Sequence, residues 1–308
     1  MTFLGYADPA YASALHQLGV PRPLTNSGGW LLVRSNSEGL TDAMGPYPIF
    51  TCLDWRGIPD DFRALGDELV SVVLVTDPFA HEAVEVMETL APDVLRPYKD
   101  HYVVDLTLPV EKMGRASRRG TAMRAARALD LSIEGAAGVD ADEWTALYEH
   151  VIARHRVTGP AAFSSDSLNA QLAVPGALFA SARHHGELVA AQFCLRQGEV
   201  VYSHLAASSA EGYRLRAMHA LDLFVLESLA STASWFDFGG GGGAPGDAAD
   251  GLSQYKSSWA TGVRPTWLAG LVLNRQSYDA ATILQGSPQD GYFPAYRRPQ
   301  TAERTSRS

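Results

Sequence analysis

Lysine is scarce in this chain. Of its 25 basic residues only Lys99, Lys112 and Lys256 are lysine. Lys256 stands between Tyr255 and Trp259, shortly after a run of five glycines, Gly239–Gly243. A compact ammonium on a flexible stem differs chemically from a guanidinium. Set among aromatic rings, it can place positive charge at a developing oxyanion. The glycines follow an apolar strand-like stretch ending in Asp237 and Phe238. Their backbone, Gly239 and Gly240 first, can approach a ligand closely and present N–H groups to it. The spacing matches neither a Walker loop nor GxGxxG, so nucleotide hydrolysis and dinucleotide binding lack their motifs. Asp237 and Lys256 bracket this segment, whose plainer reading is a surface loop with a surface lysine.

A second candidate is Lys112–Arg127, which carries six basic residues and no acidic one, while the rest of the chain sums to -15. On a helix, Lys112, Arg115, Arg119 and Arg127 fall within an arc of about 120°. Such a face suits the phosphates of a nucleotide, coenzyme A or an RNA end; its alternative is a solvated face paired with surface carboxylates. A third is Asp105, at the end of the strand-like Tyr102–Leu106. A carboxylate there can act as a base or orient an amine, or simply cap the next turn. His204 and His219 could line a site, although structural roles fit them as well. His150 and His155 are spaced five apart, which suits no metal pair. Cys52 and Cys194 belong to no zinc or CxxC pattern and read as reduced, packed thiols.

These residues need elements to hold them. Strand-like runs are expected at Trp30–Arg34, Ile49–Leu53, Leu69–Thr76 and Tyr102–Leu106, with helices around Asp60–Glu68 and His81–Leu90 between them. Residues 1–28 read as an irregular lead-in. The composition favours a helix from Glu111 to about Leu129. A second helix spans residues 140–156, with Trp144, Leu147, Tyr148, Val151 and Ile152 on one face. Leu178–Arg183, Leu188–Arg196 and Val200–Ala206 form an antiparallel meander. One long helix is expected over 209–231, opened by a Ser208/Glu211 capping box. Strands at Trp235–Phe238 and Thr266–Leu273 close the sheet, and the tail from Arg297 reads as disordered.

The chain has 308 residues, 46% hydrophobic and 19% charged, with a net charge of -9. This is a globular composition of about two domains' length, and a generally basic nucleic-acid coat is excluded. No apolar run reaches the roughly 18 residues of a membrane span, and no signal peptide is indicated at the start. The expected location is cytoplasmic.

The order helix, three-strand meander, long helix, strand, then FDFGGG…GLSQYKSSW resembles the GNAT-fold acyltransferases of the Fem type, the peptidoglycan-bridge aminoacyltransferases and their N-acetyltransferase relatives. HYVVDLTLPVEKMGRASRRGTAMRAARAL resembles that family's strand, Asp-Leu pair and basic helix. The likeness is best over residues 100–275. It implies an α/β fold of two GNAT-like units, each a mixed, mostly antiparallel sheet flanked by helices. The units are expected at 1–135 and 136–296, with 297–308 as the tail. It implies transfer of an acyl or aminoacyl group from an activated donor to an amine, with Lys256 stabilising the oxyanion or leaving group and Asp105 near the acceptor amine. Tyr255, Asp237, Gly239, Gly240 and His204 are the substrate-binding candidates, and Arg115, Arg119, Arg214 and Arg216 the phosphate-binding ones.

No tightly bound cofactor or metal is expected. The co-substrate is an acyl-CoA or an aminoacyl-tRNA, and the acceptor a small-molecule, glycan or peptide amine, with a tRNA acceptor end as a further partner. Acetyl-CoA users of the GNAT fold carry an Arg/Gln-x-x-Gly-x-Gly/Ala turn that holds the pyrophosphate through backbone N–H groups. Here that stretch is Ser209–Arg214, with Arg214 in place of the last small residue and Glu211 adding negative charge. The departure leaves a second reading, a non-catalytic small-molecule-binding protein on a degenerate GNAT fold. A third is nucleic-acid binding through the Arg-rich helix.

Overall fold

The computed structural model describes residues 4–36, 39–242, 250–285 and 291–298. Their strands join in one sheet of 11, in the order β1-β2-β3-β4-β11-β5-β10-β9-β8-β7-β6. The N-terminal half supplies β1 (Val20–Pro23), β2 (Trp30–Ser35), β3 (Thr41–Met44), β4 (Ser71–Val75) and β5 (Val94–Asp105). After them come β6 (Asp130–Gly135), β7 (Ala177–His184), β8 (Glu187–Gln197), β9 (Val200–Ser208), β10 (Trp235–Asp237) and β11 (Gly262–Val272). Most pairs are antiparallel; β3 with β4 and β9 with β10 are parallel. The α/β, mostly antiparallel class read from the sequence is present.

The expected division at residue 135 is not a division in space. β6 precedes it but forms the far edge beside β7, and β11 lies between β4 and β5. The two halves therefore share one sheet.

Helices cover both faces. Over the C-terminal half, α5 (Ala141–His155) and α6 (Ser165–Leu172) bury Trp144, Leu147 and Leu168 against Phe179, Phe193 and Leu195. The N-terminal α1 (Pro9–Ala14) packs on α6, so the expected irregular lead-in holds a helix and an edge strand. The opposite face carries α4 (Ala116–Ala126) packed on α8 (Ala217–Leu229), with Leu221, Val225 and Leu226 against Val201 and Phe236. On the N-terminal half, α2 (Ile58–Leu65) and α3 (Ala83–Thr89) cover Leu31, Val72 and Leu74. The meander, the 140–156 helix and the central strands stand where the sequence puts them. Ile49–Leu53 does not: only Phe50 makes an isolated bridge, to Thr76.

Two expected helices are shorter than their composition implied. The basic one begins only at Ala116, because Gly114 turns the chain at φ 76 and a Cβ there would lie 2.8 Å from the Trp259 ring. Lys112 sits in a separate 3-10 turn and Arg115 is the extended N-cap, so these two do not continue one helical face with Arg119 and Arg127. The helix expected over 209–231 breaks at Arg216, φ 56, into α7 (Ala210–Leu215) and α8. Its N-cap is Ser209, not Ser208, and the Ser209 hydroxyl accepts from the Gly212 N–H. At the C-terminal end, Arg297 is bound by Asp42, so the expected disorder does not begin there. Residues 299–308 lie outside the described residues.

Candidate functional site

β9 and β10 pair only from Val200–Trp235 to Tyr202–Asp237, and β9 continues to Ser208 without its neighbour. A parallel pair that parts in mid-sheet leaves backbone groups and side chains of both strands facing a gap. β10 ends in that gap, and the chain turns at Gly239, φ 77. A Cβ on Gly241 would fall 2.0 Å from the Ser253 hydroxyl, so close packing excludes a side chain there. Gly243 lies outside the described residues.

Two of the three lysines converge on this turn. Lys256, near the end of α9 (Gly251–Ser257), donates to the Gly240 carbonyl at 2.7 Å. Lys99, on β5, donates to the Gly241 carbonyl at 2.9 Å. Asp250 caps α9, accepting from the Leu252 and Ser253 N–H groups at 2.8 and 3.0 Å. Burial pushes the Lys256 ammonium down to about 8; Asp237 opposes that shift and Lys99 adds to it. Burial lowers Lys99 as well. Lys256 is thus an ammonium near neutrality that can lose its proton within reach of ordinary pH.

Beside the lysine lies a buried pair. His101 Nδ1 donates to Asp237 Oδ2 at 2.7 Å, and the Gly239 N–H donates to Oδ1 at 2.7 Å. Both side chains are more than nine-tenths buried. The carboxylate fixes the Nδ1–H tautomer, which leaves Nε2 as the basic nitrogen. Nε2 has no hydrogen-bond partner among the described residues.

Behind Lys256 a polar chain ties α9 to the core. Buried Asp222 on α8 accepts from the Tyr255 hydroxyl. Gln192 donates to Ser203 at 2.8 Å and, weakly, to Asp222 at 3.4 Å. Burial raises the Asp222 carboxyl to about 7, with the Tyr255 hydrogen bond opposing it. Arg118 lies over the Tyr255 ring, 5.4 Å from its centroid.

The structure brings together Asp237, Gly239, Gly240, Tyr255 and Lys256. It does not bring Asp105 to them. Asp105 pairs with Trp235, at the other end of β10 from the glycine turn. Its Oδ1 accepts from the Thr107 N–H and hydroxyl at 2.9 and 2.6 Å, a turn cap. His204 is held by the protein's own groups: Nδ1 meets the Tyr6 hydroxyl at 3.1 Å and Nε2 the Gln171 Oε1 at 3.0 Å. Arg115 is exposed at the start of α4, and Arg119 donates to the Gly114 carbonyl at 2.6 Å. Arg214 is exposed and bound to Glu211. Arg216 holds the helix break. His101, Lys99 and Asp222 were missed. A period of two along Lys99-Asp-His-Tyr-Val-Val-Asp105 places His101 on the face of Val103 and Asp105, but which strand would face it was not readable.

Residues 114–257 match the model of an acetyltransferase (GNAT) domain. Solved structures share the fold over most of the chain. FemX matches at 12% identity with a TM-score of 0.66, covering 88% of this chain and 93% of its own. The C-terminal domain of a putative lysylphosphatidylglycerol synthetase from Agrobacterium fabrum matches at 17% and 0.61, covering 91% of each chain. L-PGS from Bacillus licheniformis matches at 14% and 0.58, covering 93% and 97%. A search of curated proteins found no match. The Fem-type resemblance is thus met in architecture. Among the described residues no helix is long and apolar enough to cross a membrane, and no group of His, Cys, Asp and Glu could hold a metal ion.

Proposed function

We propose that this protein is an N-acyltransferase that moves an acyl or aminoacyl group from an activated donor to an amine. The observation that carries the reading is the meeting of Lys256 with the His101–Asp237 pair where β9 and β10 part. The amine nitrogen attacks the donor carbonyl carbon and a C–N bond forms. Negative charge gathers on the carbonyl oxygen, where the Lys256 ammonium stabilises it. The amine gives a proton to His101 Nε2, and Asp237 supports the imidazolium through Nδ1–H. The carbon–sulfur or carbon–oxygen bond of the donor then breaks, and the leaving thiolate or alkoxide takes that proton. The products are an amide and a free thiol or hydroxyl.

The donor is an acyl-CoA or an aminoacyl-tRNA. The turn after β9 bears on the choice. Its Gly212 N–H is already bonded to the Ser209 hydroxyl, and Arg214 to Glu211. A pyrophosphate would have to displace the first, which favours the aminoacyl-tRNA donor. The test incubates the purified protein with labelled acetyl-CoA or with labelled aminoacyl-tRNA, in each case with a mixture of amines. Amide product that disappears with Lys256→Met supports the reading. Donor binding without any amide from either arm overturns it in favour of a binding protein on a degenerate fold.

A further inference from the structure

The face of the sheet that carries His101 and Asp237 also carries an arginine without an anion. Arg264, on β11, sits directly opposite His101 of β5. Its guanidinium lies against two neighbouring rings, 4.4 Å from the centroid of Phe79 and 4.6 Å from that of Trp235. Trp235 begins β10, and Asp237 ends it on the same face. Arg264, Phe79 and Trp235 are all half-buried, so the group faces an open part of the sheet.

Several other arginines of this acidic chain have carboxylates. Arg34 and Arg297 share Asp42, Arg183 has Glu143, Arg214 has Glu211 and Arg275 has Asp93. The Arg264 guanidinium has no hydrogen bond or ion pair among the described residues. Nearby acids are engaged elsewhere. Asp77, two residues before Phe79, accepts from Tyr202, Gln197 and the Phe79 N–H, and Asp105 caps its turn. Contact with ring faces holds a guanidinium in place without using its N–H groups, which can then take a carboxylate or phosphate in two parallel hydrogen bonds.

We infer that Arg264 is the anchor for an anionic group, a carboxylate or a phosphate, on the acceptor amine; this rests on the N-acyltransferase reading. The rise of two strand residues sets Trp235 about 7 Å from Asp237. The anion and the reacting amine are therefore separated by several bonds, and the acceptor spans β10 with its amine at His101 and its anion at Arg264.

Binding is tested without donor, so that it does not depend on turnover. Two pairs of probes differ in the anion alone: lysine against cadaverine, and phosphoethanolamine against ethanolamine. Each is titrated calorimetrically into the intact protein and into Arg264→Gln and Arg264→Lys. The expected result is saturable binding of an anionic member, weakened roughly tenfold or more when the anion is removed or with Arg264→Gln. The stronger of lysine and phosphoethanolamine identifies carboxylate or phosphate. Arg264→Lys keeps the charge without the fork and falls between wild type and Gln; it also serves if the Gln variant does not fold. Equal affinity within both pairs, no binding of either anionic probe, or wild-type affinity in both variants overturns the inference. Failure of every donor to yield amide, with anion binding intact, overturns the acyltransferase reading and leaves the Arg264 site standing.

Discussion

Two histidines flank the gap between β9 and β10, and they are built in opposite ways. His204 on β9 has both ring nitrogens bonded to the protein, to Tyr6 and Gln171, and is ringed by Tyr11, Tyr47, Phe163 and Phe193. Burial holds its imidazole down to about 3, so it stays neutral. His101 on β5 has one nitrogen committed, to Asp237, and the other without a partner among the described residues. A saturated histidine stabilises a fold, whereas one with an uncommitted nitrogen can move a proton. Lys256 belongs with His101, since among the described residues its ammonium makes one hydrogen bond, to Gly240, of the three it can donate.

The largest effect is expected at His101. His101→Gln keeps a donor toward Asp237 and removes the base; amide formation should fall by roughly 10²–10⁴-fold with the melting temperature little changed. Rates near wild type would sink the proton-transfer role. Lys256→Met should cost about 10²–10³-fold in turnover, as loss of an oxyanion donor does, and a kinetic assay on folded protein reads it. His204→Phe should behave the other way. It leaves the Tyr6 hydroxyl and Gln171 amide buried without their partner, a loss of about 1–3 kcal/mol in denaturant unfolding, while turnover of the folded protein holds. A large fall in turnover there would erase the distinction.

The smallest effect is the pH response of Lys256. Its folded pKa, about 8, lies below the ordinary 10.5. The unfolded chain therefore holds the proton more tightly, and stability should rise with pH from about 8 to 10.5. Activity should fall as pH rises through about 8, where the folded ammonium is lost. Lys256→Met should remove the stability slope, and unfolding curves at several pH values measure it.

Much of this was legible in the sequence. The meander and the apolar central strands declare themselves through β-branched runs and short glycine links, and Tyr255-Lys256 after a glycine run pointed to the candidate site. The rest depended on which segments meet. Nothing local says that β5 runs between β11 and β10, and that placement alone sets His101 against Asp237 and Lys99 against the glycine turn. Asp105 drew attention as a strand-end carboxylate, yet register sends it to the wrong end of β10. The basic helix was overextended because charge composition carries no mark of the left-handed turn at Gly114. Arg264 was one arginine among 22 until the two rings beside it were seen.

The position of β11 has a consequence for how the protein is made. A ribosome delivers β1 to β5 long before Gly262–Val272, yet among the described residues that late segment alone links β4 to β5 in the sheet. Until it emerges, the nascent chain carries two exposed strand edges with no partner for either. A premature stop before residue 262 would therefore yield two half-sheets open to pairing with other chains. The sheet closes only once Gly262–Val272 is delivered.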